Sequence, residues 1–473
     1  MLTRLEINGF KNLLDFSVDF GPFNCIAGPN GVGKSNLFDA IRFLSLLTDH
    51  TIMKAAQKVR GGDEESNDLR DLFWSDSQSR SSSFRIAAEM LVGQFVSDEF
   101  GRPAKASSTF LRYEIEIGYE ESNTFSAFNQ LVLKKETLGY IQEGMAAQHL
   151  KFKHTLKFRD HAVINKRRTP EGYISVREAS DGQIEIVVHQ DGGSRGPGQV
   201  ASASRAPSTI VGTSNTSATP TILAARREMQ KWRFLALEPS AMRKPDRFQA
   251  NPSVSANGGH LPAALYRLAQ SAEDQQKKPE DIYASVTNRL AALVPIASIK
   301  VEVDDVRQLL TVQVRERTGI ALPASSLSDG TLRFLALSVL AEDAQAEGVF
   351  CIEEPENGIH PAKMPEMVKL LLDLAVDADD TPDMDNPFRQ VIVATHSPVF
   401  VQLVPQDALL CAVEAKVKAS SGRPTRTLKL LPLAETWRSK AGVPTVGMGT
   451  IVDYLSAPPG AQLTLRGLVD DIA

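Results

Sequence analysis

Three observations predict an α/β fold with a mixed central sheet, an antiparallel β subdomain and a helical lobe. The first is Gly28-Pro-Asn-Gly-Val-Gly-Lys-Ser35, which fits G-x-x-x-x-G-K-[ST] at every fixed position. The second is two buried-strand patterns, residues 349–352 and 390–396, which run straight into Glu353-Glu354 and close on His396. The third is a set of alternating runs, at 83–91, 110–119, 130–138 and 150–158, which predicts antiparallel strands beside the central sheet.

The elements follow in order. Residues 2–7 and 15–20 alternate and flank Gly9-Phe-Lys-Asn12, which predicts two antiparallel strands. Phe23-Asn-Cys-Ile-Ala27 is apolar enough for a buried strand, and a helix with a wide apolar face starts near Lys34 and ends near Leu47. From 191 to 221 the chain turns to Gly, Ser, Ala, Thr and Pro, which predicts a loop. Helical spacing marks 221–230, 261–270, 280–293 and 361–374, and strand-like runs mark 232–237, 298–303, 309–314, 408–413 and 425–431. Leu327-Ser-Asp-Gly330 opens a further helix over 331–342, and the tail carries no clear pattern. The expected division is 1–145, the first half of a nucleotide-binding head; 146–230, a variable insertion; 231–320, a helical lobe with a hairpin; and 321–473, the second half and tail.

Composition bounds the function. Hydrophobic residues are 42% and charged residues 23%, ordinary for a soluble globular protein. A net charge of −5 gives no global pull toward nucleic acid or anionic lipid. Cys25, Cys351 and Cys411 are far apart in apolar stretches, which suits small core residues and neither a disulfide frame nor a metal site. No apolar run approaches the roughly 20 residues that span a bilayer. The alternating, charged start Met-Leu-Thr-Arg-Leu-Glu-Ile does not resemble a signal peptide, so the expectation is a cytoplasmic protein without a membrane partner.

The glycine loop lies between a strand and a helix, the context that makes it a phosphate site. Gly28, Gly31 and Gly33 let successive backbone N–H groups converge on an anion, and the helix adds its positive end. Lys34 reaches for the β- and γ-phosphates and the Ser35 hydroxyl for Mg²⁺. Glu353 and Glu354 end an apolar strand, where open α/β sheets hold their ligands. Two glutamates there are often only solvated. Behind a phosphate loop, the first suits Mg²⁺ and the second the water that attacks the γ-phosphate. His396 is placed to contact the same phosphate or water. Ser328-Asp-Gly330 is at minimum a helix cap, and otherwise a second anion-binding terminus completing the site of another subunit.

Phosphate loop, Leu-Ser-Asp-Gly, Glu-Glu and His, in that order, resemble the ABC-type ATPase heads of the SMC, RecF and OLD group. Gly9-Phe-Lys-Asn12, residues 327–337, Glu353-Glu-Pro-Glu-Asn-Gly-Ile-His-Pro361 and Ala394-Thr-His-Ser-Pro398 are most similar to the OLD-like branch. Glu238-Pro-Ser-Ala-Met-Arg243 and Gly259-His-Leu261 resemble a recurring stretch in that group. The resemblance implies ATP and Mg²⁺ sandwiched between two heads, with Glu354 and His396 catalytic and Ser35 and Glu353 at the metal. It implies a nucleotide-binding set of Lys11, Asn12, Gly28, Asn30, Gly31, Val32, Gly33, Lys34, Ser35 and Asn36, and Ser328, Asp329 and Gly330 acting in trans. Asp329 departs from the usual Ser-Gly-Gly, and Glu353 stands where aspartate is usual. The Mg²⁺-proximal glutamine of such ATPases has two candidates, Gln94 and Gln130. OLD nucleases carry a Toprim domain after the ATPase. The stretch after His396, with Asp470-Asp471 at its end, does not suit one, so any nuclease or toxin would be a separate partner. Two roles stay open. One is an ATP-driven switch of an anti-phage defence system, acting with an effector protein. The other is a RecF-type DNA-binding ATPase, for which Lys151, Lys153, Lys157, Arg159, Lys166, Arg167 and Arg168, or Arg226, Arg227, Lys231 and Arg233, would supply a basic face.

Overall fold

The alternating N-terminal runs form one eight-stranded antiparallel sheet in the computed structural model. The structure describes residues 1–59, 68–76, 79–120, 130–167, 169–180, 182–191, 199–203, 206–274, 278–418, 424–439 and 443–456. The sheet order is Gln199–Ser202, Ile184–Val188, Ile174–Glu178, Gln130–Tyr140, Phe110–Glu120, Ser83–Leu91, Leu2–Asn8 and Phe16–Asp19. The second sheet has six strands in the order Arg233–Leu235, Gly348–Glu353, Arg389–Thr395, Phe23–Ala27, Leu409–Lys418 and Pro424–Pro432. Its first five strands run parallel and the last is antiparallel. A smaller antiparallel sheet joins Ile296–Asp304 with Leu309–Glu316, flanked by Asp246–Arg247 and Ala321–Pro323.

The helix Lys34–Leu46 lies between the two large sheets. Its Leu37, Ile41 and Leu44 share a core with Ile7, Phe84 and Ile115 of the first sheet and with Val349, Cys351, Ile392 and Ala394 of the second. The intervening Phe350, Ile352, Val391 and Val393 face the other way, into a core built with the helices Leu261–Asp274, Asp329–Glu342 and Met364–Leu374. Both faces of the mixed sheet are therefore covered, which is why its central strands are continuously apolar. Gln390 ties the sheets together: its amide nitrogen donates to Leu2 and Gly21 carbonyls, and its oxygen accepts from Leu2 N–H. All three cysteines are buried and free, as expected of core residues.

Three expectations need correction. Residues 150–158 do not form a strand: Thr155 caps a helix, Leu156–Ala162, by accepting from Phe158 N–H at 3.2 Å. Phe152 and Phe158 are buried together, while Leu156 is 65% exposed, so the alternation is an aromatic anchor and a cap rather than a pleat. The 191–221 stretch is not loop throughout. Residues 192–198 and 204–205 lie outside the described residues, but Gln199–Ser202 extends the sheet and Ile210–Thr213 is helical. Polar anchors replace the missing large apolar ones: Asp191 accepts from Thr221, and buried Glu136 accepts from Ile210 N–H at 2.7 Å and Val211 N–H at 3.0 Å. The tail contains a helix, Met448–Ser456, that buries Ile451; Asp470-Asp471 lies outside the described residues.

Burial pushes the Glu136 carboxyl from 4.5 up to about 7, against the pull of those two N–H donors and the Tyr113 hydroxyl. For an acid shifted upward, stability is fully present below the unfolded value and falls as pH rises through about 7. The melting temperature of Glu136→Gln should therefore fall less than that of the parent between about pH 6 and about pH 8. Parallel pH curves for the two proteins would contradict this origin.

Candidate functional site

Parallel pairing brings three strand ends to one edge. Thr395 aligns with Ala27 and Glu353 with Ala394, so the glycine loop, Glu353-Glu354 and His396 emerge side by side. Two hydrogen bonds continue the ladder past the strand ends, Gly28 N–H to Thr395 O at 3.1 Å and Glu354 N–H to Ala394 O at 2.8 Å. The order also reverses around these strands, the usual place for a ligand in an open α/β sheet.

The glycine loop wraps a cavity of 330 Å³ lined by Asn30, Gly31, Gly33, Lys34, Ser35, Asn36, Glu353, Glu354 and Ala394. Lys34 is buried, and its ammonium donates to the Gly28 and Pro29 carbonyls at 2.6 and 2.9 Å. Burial lowers the Lys34 pKa, opposed by Glu354, Glu353 and Glu356. Ser35 Oγ donates to Glu353 Oε1 at 2.7 Å, so a hydroxyl and a carboxylate meet on the cavity wall. Both are hard oxygen ligands, the donor type Mg²⁺ takes. Glu354 pairs with His396 Nδ1 at 2.7 Å and accepts from Asn357 Nδ2 at 2.8 Å. Its backbone is left-handed, φ 48°, a conformation that costs about 1–3 kcal/mol and survives where surrounding bonds fix it.

Asn12 and Lys11 reach this site from the first sheet. Asn12 donates to Val32 O at 3.2 Å and accepts from Asn36 Nδ2 at 2.7 Å. Lys11, with φ 48°, donates to Asp39 Oδ2 at 2.6 Å. Thr427, on the last strand of the mixed sheet, donates to the Asn12 and Leu14 carbonyls and holds that turn. A second cavity of 480 Å³ opens beyond Asn12 and is lined by Lys11, Asp71, Phe73, Trp74, Thr425 and Arg426 among others. Sequence reasoning gave 71–74 only as an anchor, and missed Arg426.

Ser328 is the N-cap of the helix Asp329–Glu342, its Oγ accepting from Thr331 N–H at 3.3 Å. Asp329 is not a bare acid at this terminus. Arg243 donates to its carboxylate at 2.6 Å and to Leu327 O at 3.1 Å, which neutralises it. Ser328 and Asp329 are exposed, whereas Gly330 is buried against the turn that follows Glu354. Within one chain these three residues are not among those lining the phosphate cavity.

The expected basic faces are largely spent on internal contacts. Lys151 pairs with Asp19, Arg226 with Asp49 and Glu99, and Lys231 with Glu347. Arg167 donates to the carbonyls of Glu171, Gly172 and Gln190, and Arg168 lies outside the described residues. Gln94 sits past the Leu91 end of its strand, while Gly9 packs at the Ser83 end, far from the phosphate loop for a metal-proximal role. The Gln130 side chain lies outside the described residues. Among the described residues no cluster of three metal-ligating side chains occurs, and no helix is long and apolar enough to cross a membrane.

Two family models match this chain. "RecF/RecN/SMC N terminal domain" covers residues 1–61, and "AAA domain, putative AbiEii toxin, Type IV TA system" covers 196–402. Among curated proteins, the DNA replication and repair protein RecF of Parabacteroides distasonis is 45% identical over 51 residues, 11% of this chain and 14% of that protein. RecF of Porphyromonas gingivalis is 38% identical over 65 residues, 14% of this chain and 18% of that protein. The chain thus matches under a fifth of the length of these relatives. Among solved structures, an SMC head bound to the C-winged helix domain of ScpA aligns over 92% of this chain and 98% of its own. It is 13% identical, with a TM-score of 0.46. The SMC head domain from Thermotoga maritima aligns over 91% and 98%, at 11% identity and a TM-score of 0.36.

The loop geometry yields a test independent of activity. A Cβ on Gly330 would stand 2.1 Å from the Gly358 carbonyl oxygen, a backbone atom that cannot swing away. Gly330→Ala should cost about 1–3 kcal/mol in denaturant unfolding. Unchanged stability would contradict this packing.

Proposed function

We propose that this chain, an ABC-type ATPase head of the SMC/RecF group, is an ATP-hydrolysing switch whose site is completed by a second copy of itself. The single observation that carries the reading is the meeting of the phosphate loop with two acid–partner pairs, Ser35–Glu353 and Glu354–His396, at one sheet edge.

In this reading the loop N–H groups and Lys34 bind the β- and γ-phosphates, and Asn12 and Lys11 lie toward the base, next to the cavity with Trp74. Ser35 and Glu353 fit Mg²⁺, being adjacent oxygen donors on the cavity wall. When bound, the ion offsets phosphate charge. Glu354 orients the attacking water and takes its proton as the oxygen bonds to the γ-phosphorus. The bond to the β–γ bridging oxygen breaks, and ADP leaves with the electron pair. His396 holds the Glu354 carboxylate through Nδ1 and leaves Nε2 for the γ-phosphate or the water. Ser328 and the N–H groups behind it would meet the triphosphate of the partner copy. Closure on ATP and opening on hydrolysis would then control an effector protein.

We assign that control to anti-phage defence. The toxin–antitoxin name of the matching family model supports a two-component arrangement, the ATPase acting with a toxic or nucleolytic partner. The RecF likeness of residues 1–61 supports a second reading, in which the closed pair clamps DNA. The internal pairing of Lys151, Arg226 and Lys231 weighs against it. DNA affinity that falls steeply with salt would favour the second reading; salt-insensitive, negligible binding favours the first.

Glu354→Gln should bind ATP and lose about 100-fold or more in kcat, accumulating a closed pair; turnover at the parental rate contradicts the role given to Glu354. Lys34→Ala and Ser328→Arg should each be inactive alone. Mixed in equal amounts, half of the pairs are hybrid and hold one intact site of two, so about a quarter of the parental rate returns. No recovery on mixing contradicts a site shared between copies.

A further inference from the structure

Glu356 lies two residues beyond Glu354 and is 7% exposed, yet its Oε2 atom is buried with no hydrogen-bond partner. Its Oε1 accepts from the Thr395 hydroxyl, and that hydroxyl oxygen accepts from Ser397 N–H at 2.9 Å. Thr395 and Ser397 flank His396. The turn after Gly348–Glu353 therefore grips the end of the neighbouring strand twice, once through Glu354 on His396 and once through Glu356 on the residues either side of it. Nothing in the hydrolytic chemistry assigned above uses Glu356.

We propose that Glu356 is a positioning residue: an uncharged buried carboxyl that locks the Thr395–Ser397 backbone so that His396 stays aligned with Glu354. The inference rests on the reading of Glu354 and His396 as the hydrolytic pair. A dry carboxylate with one unsatisfied oxygen is far costlier than a neutral acid in the same place. The groups acting on Glu356 are Glu354, which disfavours a second negative charge, and His396, which favours one; Lys34 and Cys25 also feel it. Burial is the largest influence and raises its pKa. The arrangement explains why a glutamate is tolerated in a buried turn: its acid form fills the space, accepts one hydrogen bond and adds no charge beside the two glutamates that act on the nucleotide.

Steady-state ATP hydrolysis by four variants tests this. Glu356→Ala and Thr395→Val both cut the link, and kcat should fall about 10- to 100-fold with KM changed less than about twofold, since misplacement affects the reacting geometry and not the phosphate loop. Glu356→Gln, an isostere of the neutral acid, should stay within about threefold of the parent. Glu354→Gln is the control. If it turns over normally, the hydrolytic reading itself fails. If it is inactive while Glu356→Ala and Thr395→Val keep parental kcat, only the present inference fails. A Glu356→Gln variant as defective as Glu356→Ala overturns it too, because charge and not position would then matter. Thr395→Val changes no buried volume to speak of, so it keeps the test decisive if Glu356→Ala does not fold.

Discussion

Parallel register between three strands is the constraint on which the rest of this structure depends. Phe23–Ala27, Arg389–Thr395 and Gly348–Glu353 are hydrogen-bonded neighbours, and their paired residues Ala27, Thr395 and Glu353 end within one step of each other. A slip of one residue would turn Ile352 and Val393 from one core to the other and carry Glu354 and His396 apart. Two cores hold the register from opposite faces, so the arrangement does not rely on the polar contacts it presents. Those contacts are few and short, and each joins segments distant in sequence: Ser35 with Glu353, Glu354 with His396, Asn12 with Asn36.

The first sheet has a supporting role with a functional edge. Its inner face buries the helix that begins at Lys34, while its edge loop carries Lys11 and Asn12 to the outside of the phosphate loop. Thr427 fixes that loop from the other sheet, and Gln390 fixes the start of the chain. Gly33 shows how tight the junction is: with φ 110°, a Cβ there would fall 2.2 Å from the Asn12 amide. The glycine is needed for its conformation and also for the close passage of a side chain that belongs to another layer. On the far side, Arg243 clamps Asp329, and the Gly330–Gly358 contact ties the Ser328 helix to the Glu354 turn. Movement of that helix would be felt directly at the residues proposed to act on water.

The parts legible in the sequence were those written in local pattern. The phosphate loop, the apolar strands ending in Glu353 and His396, and the cap at Ser328 each show themselves within a dozen residues. Long-range placement was not legible. Nothing near Glu356 says that it turns inward while Glu353 faces solvent, since both are glutamates in one polar turn. The Thr427 and Gln390 tethers join residues hundreds of positions apart. Residues 150–158 misled because two buried phenylalanines and a capping threonine imitate alternation. Residues 191–221 misled because buried threonines and a glutamate, rather than large apolar groups, order the segments that flank the gaps.

The most direct measurement is a crystal structure with Mg²⁺ and a non-hydrolysable ATP analogue. The account predicts the triphosphate inside the loop from Gly28 to Asn36, the metal against Ser35 and Glu353, and Glu354 with His396 facing the γ-phosphate. It also predicts Ser328 of a second copy on the open side of that phosphate. A triphosphate bound at another surface, or one in this loop with residues 327–330 of every copy pointing to solvent, would contradict it.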